Sequence, residues 1–344
     1  MTETTALIIG AGPAGLATAA ALQKAGISSI TLEKDTGAGG AYAKLHPELK
    51  LVSPRRYLNL PHLNLKAKNE IVAVGEFRSY LDEYSRSVAA DRRYCKEVIA
   101  VSSSDQGVTV KCSDESEYAA KVLVVCTGMM SFPRPFPLNA GGTRVEQAWQ
   151  WRGAEAYRGK KILVVGGGTS ASEIATLAAL VTEVWLSVRS PLKTVPLTPL
   201  GINIHYGFEW IERLPKSLFP KVCSGDFKEP ALDFGLRKAI AEERVRVKEG
   251  ALELKNGVAV FADGSEVEPD IIISCLGYEF RTQYLPADIA RNKKGWLLTH
   301  QNRSTSHRRI FAVGHPCSGA IDSKFIRGIA RDAARVASQI GREV

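Results

Sequence analysis

The sequence predicts an α/β protein built from two parallel-sheet units, the second set into the first. Three observations predict it. A strand, glycine turn, helix and strand follow one another near the N-terminus; the same pattern returns 156 residues later; and a buried strand and amphipathic helix close the chain after the second copy.

In the first unit Leu7-Ile8-Ile9 reads as a strand, Gly10-Ala11-Gly12-Pro13-Ala14-Gly15 as the turn, and the Ala-rich run to Lys24 as a helix. Ile30-Thr31-Leu32 is a second strand with Glu33 at its tip. In such a turn the first glycine allows the bend, the second lets the backbone approach a pyrophosphate, and the third lets helix and strand pack closely. Phosphates then sit on a helix N-terminus, whose amides and dipole favour negative charge. Glu33, eighteen residues past Gly15, is placed for a ribose hydroxyl. This is the pattern of a Rossmann-like, three-layer dinucleotide-binding unit.

The second copy runs Leu163-Val164-Val165, Gly166-Gly167-Gly168-Thr169-Ser170-Ala171, a helix from Ser172 to Leu180, and a strand Val184 to Arg189. Ala171 takes the place of Gly15, and Arg189 that of Glu33. A carboxylate accepts from a free ribose diol and repels a 2'-phosphate, whereas a guanidinium offers that phosphate a charged fork. Different ligands are therefore expected, the second being NADP(H). Lys193 is placed to share or replace the role of Arg189, which otherwise reads as a solvated strand-end charge.

Each glycine turn is followed by short alternating strands. Glu97–Val101, Gly107–Cys112 and Tyr118–Ala120 lead into the apolar strand Val122–Cys126 and then Thr127-Gly128. Gly257–Phe261 and the turn Asp263-Gly264 lead into Ile271–Cys275 and then Leu276-Gly277. A small antiparallel meander is thus expected in each unit. Phe77, Tyr80, Leu81, Tyr84 and Val88 share one face of a helix. The glycines of Gly37-Ala38-Gly39-Gly40-Ala41-Tyr42 let backbone amides approach a phosphate. Pro191 to Pro230, with Trp210, Leu214, Leu218 and Phe219, lacks periodicity and reads either as a lid or substrate wall or as an ordinary insertion. After Ile310-Phe311-Ala312-Val313 and Gly314-His315, Ser323 is expected to cap a helix bearing Phe325, Ile329, Val336 and Ile340, stopped by Gly341.

A length of 344 residues suits two domains. The formal charge is +9, but basic residues are scattered as pairs such as Arg55-Arg56, Lys160-Lys161 and Arg308-Arg309, so no nucleic-acid partner is expected. No stretch reaches the roughly 20 apolar residues of a membrane span, and a cytoplasmic protein without membrane association is expected. Cys95, Cys112, Cys126, Cys223, Cys275 and Cys317 stand apart in sequence without any CxxC, and are read as unpaired thiols. That argues against a structural zinc site and a CxxC dithiol relay. His46 and His62 have no spacing that suggests a metal.

The two fingerprints in this order, Thr127-Gly128, Leu276-Gly277-Tyr278 and the closing Phe311-Ala312-Val313-Gly314 resemble two-dinucleotide-domain flavoproteins. Pro133 and Pro135 after Thr127-Gly128, the stretch from Gly40 to Pro61, and Arg327-Gly328-Ile329-Ala330-Arg331-Asp332 resemble bacterial members of the flavin-containing monooxygenase-like (class B) family. The resemblance implies FAD in the first site and NADPH in the second, with residues 1–145 and 286–344 forming the FAD domain and 146–285 the NADP(H) domain. It implies that Gly10, Gly12, Pro13, Ala14 and Gly15 hold the FAD pyrophosphate, Glu33 the adenosine ribose, Gly40 a place along the cofactor and Val98 the adenine. Gly314 and His315 would approach the flavin end; Lys34, Tyr42, Thr127, Gly128 and Gly277 complete the expected cofactor contacts. Gly166, Gly168, Thr169, Ser170 and Arg189 would hold NADPH.

Some positions depart from the family. Ala140–Trp149 replaces the family's Phe-x-Gly and His signature, Ser53 stands where many members carry Asn, and His315 where disulfide-reductase relatives carry Asp. The implied reaction passes a hydride from NADPH to the flavin and uses a flavin C4a-(hydro)peroxide to transfer one oxygen atom from O2 to a small molecule. Ser53 is a candidate hydrogen-bond partner of the flavin or a local backbone cap. Arg55 is a candidate partner of NADP+ or an acidic substrate, or a surface charge. The alternatives are a reductase or oxidase passing electrons to a protein acceptor or to O2, and, from another class, a flavin-binding redox sensor. A homodimer is compatible with each.

Overall fold

The computed structural model describes residues 2–212, 216–227 and 229–343; Leu214, in the irregular stretch, lies outside them. Two large parallel sheets organise the described residues. In the first, Ile310–Ala312, Glu117–Val125, Thr2–Ile9, Ser29–Leu32 and Asp91–Arg93 run parallel in that order, and two short strands, Arg303–Ser304 and Thr299–His300, extend the Ile310 edge.

Register explains why its central strands are apolar throughout. Ile8 pairs with Val124 and Thr31, and Leu7 with Leu123 and Ile30. Ile8 and Val124 pack under Leu16, Ile329 and Val336 of the helices Pro13–Lys24 and Ile326–Gly341. Leu7 and Leu123 face the other way, onto Val101, Val110 and Tyr118. A strand covered on both faces needs apolar residues at every position. The second cover is an antiparallel run, Val98–Ser103 on Val108–Cys112 on Glu117–Val125. That last strand is continuous, where two shorter ones were expected: its alternation passes through Lys121 without a glycine or proline to break it.

The second sheet has the order Arg144–Gln147, Ile271–Ser274, Lys161–Val165, Glu183–Val188, Val245–Glu249, all parallel. One face carries the helix Thr169–Ala178. The other packs Leu163, Trp185 and Ile272 on Ala259, Phe261 and Val267 of the antiparallel strands Leu252–Lys255, Val258–Phe261 and Glu266–Val267. The helix starts three residues before the expected Ser172, because Gly168 is already extended and leaves Thr169 free to begin the first turn.

Helix Val74–Ser87 buries Phe77, Tyr80, Leu81 and Tyr84, as their spacing requires. Ser323 does not cap the closing helix. It sits one turn earlier, in Ile321–Lys324, where its hydroxyl accepts from the Gly319 and Ala320 amides at 2.9 and 2.8 Å; the helix begins after Phe325. The reading of six unpaired cysteines is also corrected, since Cys223 and Cys317 form a disulfide across 94 residues. Linear spacing carries no trace of a contact made by folding two distant segments together. No helix among the described residues is long and apolar enough to cross a membrane.

Candidate functional site

The first glycine turn works by close approach. A Cβ on Gly15 would sit 1.8 Å from the Gly10 carbonyl oxygen, so no other residue fits without moving the turn. Gly40, at φ +57°, brings its backbone against Gly12: a Cβ there would lie 3.1 Å from the Gly12 Cα. Two bare backbones thus flank the N-terminus of the helix Pro13–Lys24, leaving room for a group that side chains would exclude. Glu33, 4% exposed, steadies the turn: its carboxylate accepts from the Ala11 amide at 2.6 Å and the Asp35 amide at 3.0 Å.

A long cleft opens over this turn. Of the residues singled out in the sequence, Gly10, Gly12, Pro13, Ala14, Glu33, Lys34, Gly40, Tyr42, Val98, Thr127, Gly128 and Gly314 line it. Gly15 lies beneath, in the helix–strand contact. Lys44, Lys96, Trp149, Tyr278, Tyr284 and Lys324 also line it. Sequence reasoning missed these because they come from segments that only folding brings together; the lysines were lost among scattered surface charge.

The lysines differ in their pairing. Lys44 holds Asp35 at 2.8 Å, and Lys96 and Lys324 pair with Asp114 and Glu229. Lys34 instead lies over the Phe132 ring, 4.3 Å from its centre. The Trp149 indole Nε1 is buried without a partner. A backbone cradle at a helix N-terminus, four cations and an unmatched donor form a donor set that fits a large anionic dinucleotide such as FAD.

Several expected residues stand apart from the cleft lining. Ser53 is buried in the strand Lys50–Pro54, paired with Ile71–Ala73. Arg55, on the following turn, donates from Nη1 to the Ala67 carbonyl at 2.7 Å. His315 is buried behind the lining, its Nε2 3.5 Å from the Thr127 hydroxyl and its ring edge-on to Phe280. Burial pushes its pKa down to about 3, so the ring is neutral, and its Nδ1 has no partner. Gly277 follows the strand Ile271–Ser274, and its carbonyl accepts from the Arg134 amide at 3.0 Å.

The second turn is an open surface. Gly166 ends the strand Lys161–Val165, and Gly168, Ser170 and Arg189 are exposed. No carboxylate among the described residues pairs with Arg189. Thr169 is tied down, its hydroxyl accepting from the Leu232 amide at 3.1 Å. On the inner side of the same helix Glu173, 8% exposed, accepts from the Lys50 amide at 2.6 Å, and burial pushes its pKa up to about 7. Beside it Glu48 receives the Trp151 indole N–H at 2.7 Å. These contacts tie the helix after the second turn, and the segment at Trp151, to the stretch around Glu48 and Lys50.

A family model described as pyridine nucleotide-disulphide oxidoreductase matches residues 7–195, which include both glycine turns. The chain belongs to that family. It is an oxidoreductase whose family name refers to two ligand chemistries, and only the nucleotide part has a sequence signature in this chain. A probable indole-3-pyruvate monooxygenase of Arabidopsis thaliana is 28% identical, covering 97% of this chain and 89% of the relative. The flavin-containing monooxygenase from Stenotrophomonas maltophilia superposes with a TM-score of 0.81 at 18% identity, over 100% of this chain and 99% of that one. The bacillithiol disulfide reductase Bdr from Bacillus cereus superposes with a TM-score of 0.77 at 18% identity, over all of both chains. The fold is therefore shared by oxygenating and disulfide-reducing enzymes, and the site has to discriminate between them.

Proposed function

We propose that this oxidoreductase is an NADPH-dependent FAD monooxygenase that places one oxygen atom from O2 on a small-molecule substrate. The observation that carries the reading is the composition of the cleft. It has a dinucleotide cradle and a single cysteine, Cys126, whose thiol burial pushes up to about 12. A lone protonated thiol gives the electron pair no dithiol route through the protein, which supports O2 as the acceptor. Bound FAD would supply hydride acceptance and oxygen activation; the protein supplies position and exclusion of water.

In this reading residues 1–145 and 286–344 hold FAD and 146–285 hold NADP(H), each as a Rossmann-like unit with its own meander, the second inserted in the first. The Gly12 and Gly40 backbones and the helix N-terminus take the pyrophosphate, Glu33 the adenosine ribose, and Val98 the adenine. Arg189 takes the 2'-phosphate of NADPH, with Thr169 and Ser170 at its pyrophosphate. Ser53 and Arg55, set back from the cleft lining, keep their roles in this reading as residues that would act on substrate or cofactor, Ser53 toward the flavin and Arg55 toward NADP+ or an acidic substrate. A cytoplasmic location belongs to the same reading, without a nucleic-acid partner.

The test supplies NADPH and isotopically labelled O2 with a panel of sulfides, amines, ketones and 2-oxo acids. Label in a product, with NADPH consumed in proportion, is the expected result. Hydrogen peroxide equal to the NADPH consumed, with no label in any product, would overturn the monooxygenase in favour of an oxidase. Fast reduction of an added disulfide or protein acceptor would favour the reductase.

A further inference from the structure

The irregular segment between the strands Thr194–Pro196 and Ala231–Asp233 lies within the second sheet unit in sequence, between its strands Glu183–Val188 and Val245–Glu249, yet it is fastened to the first. The Asn203 side chain donates to the Val52 carbonyl at 3.2 Å. Glu212 pairs with Arg327 on the closing helix, Arg327 Nε lying 2.8 Å from its carboxylate. Lys216 Nζ donates to the Thr299 and Cys317 carbonyls at 2.9 and 3.2 Å, and Asn292 Nδ2 donates to the Cys223 carbonyl at 3.1 Å. At the same junction Cys223, on the short helix Pro220–Cys223, is bonded to Cys317. Cys317 is three residues past the cleft-lining Gly314, on the loop that carries His315.

We propose that Cys223 and Cys317 are a thiol–disulfide couple, closed by hydrogen peroxide and opened by dithiols, that locks this segment against the loop after Gly314. It is not a CxxC relay, and no step of the proposed oxygen transfer uses it. Every fastening named above other than this one is a non-covalent polar contact. The covalent one joins residues 94 apart, so its loss releases a long loop. Cys223 is partly exposed and Cys317 is buried, which makes the Cys223 sulfur the point of attack.

In opening, a reductant thiolate bonds to Cys223 Sγ and the S–S bond breaks. Cys317 leaves as a thiolate and takes up a proton. The second thiol of the reductant displaces Cys223 as a free thiol, and the reductant ends as its own disulfide. In closing, the two thiols give two electrons and two protons to hydrogen peroxide, which leaves as two waters. Disulfides of this kind in reducing compartments are redox-responsive ones.

The experiment uses the flavin-loaded enzyme, treated either with dithiothreitol or with hydrogen peroxide after removal of reductant. Peptide mass spectrometry reads the linkage, and timed trypsin digestion reads cleavage after Lys216 and Lys221. The peroxide-treated protein is expected to give a linked Cys223–Cys317 peptide, and the reduced protein to be cut about tenfold faster at both lysines. Cys223→Ser should be cut at the fast rate under both treatments, whereas Cys95→Ser, which removes an exposed thiol elsewhere, should still switch. No linked peptide after peroxide, or equal cleavage rates in the two states of the unaltered protein, would overturn the proposal. Neither readout needs turnover, so the result is independent of the monooxygenase reading.

Discussion

The carboxylate of Glu173 shows how one side chain is set by burial. The Lys50 amide, 2.6 Å away, stabilises its charged form, but the loss of water outweighs that bond and Glu48 adds a like charge nearby. Its pKa rises from 4.5 to about 7. Across that window the unfolded chain has released the proton while the folded one keeps it, so stability falls as pH rises through it and the penalty is complete above it. Glu173→Gln keeps an oxygen for the Lys50 amide and abolishes the slope. The variant is expected to be more stable than its parent at about pH 8, by up to about 3 kcal/mol, and equal to it near pH 4, as measured by urea unfolding at both values. His205 and His315 have pKa values lowered by burial, to about 4 and about 3, and act oppositely: their contribution is lost as pH falls below 6.5. They are common to both proteins and cancel in the comparison. At this scale Gly15 was legible, because the turn pattern states which glycine meets the strand. Glu173 was not, because its carboxylate is unusual only once Lys50 and Glu48 are beside it.

Among elements, the segment holding His205–Glu212 is joined to the closing helix by an ion pair almost without solvent: the side chains of Arg327 and Glu212 are 6% and 9% exposed. His205 and Phe325 pack around it, with the Arg327 guanidinium 4.4 Å from the centre of the Phe325 ring. Removing one partner leaves a buried charge without compensation. Arg327→Met is therefore expected to destabilise by about 3–5 kcal/mol, and Arg327→Met with Glu212→Leu to recover most of that loss, in denaturant titrations of the three proteins. The helix itself was legible from the spacing of Ile329, Val336 and Ile340, all buried. Its start was not, because Ser323 satisfies the Gly319 and Ala320 amides instead, and a sequence shows a capping side chain without showing which amides it reaches.

For the whole molecule, the two glycine turns differ in exposure. The first lies in a cleft with Glu33 buried at the strand tip; the second is open, with Arg189 exposed and in no ion pair with a carboxylate among the described residues. A resident cofactor and a ligand that comes and goes call for that contrast. Arg189→Ala is expected to raise the KM for NADPH about tenfold to a hundredfold and to leave that for NADH unchanged, in initial-rate measurements of cofactor oxidation. Equal changes for both cofactors would remove the 2'-phosphate from the role of Arg189.

The duplicated turns, the apolar strands and the exchange of an acid for an arginine at the second strand's tip were determined by sequence alone. Each is a local pattern with a fixed period or offset, and local geometry follows from such patterns wherever the chain goes. What only the tertiary structure decided are the meetings of distant segments: Lys324 and Trp149 in the cleft, Glu173 against Lys50, Arg327 against Glu212, and Cys223 bonded to Cys317. It also set Ser53 and Arg55 outside the cleft lining, the first enclosed in a hairpin and the second held by the Ala67 carbonyl. Burial, pairing and pKa depend on which side chains the fold brings within a few ångströms, and separation along the chain does not encode that distance.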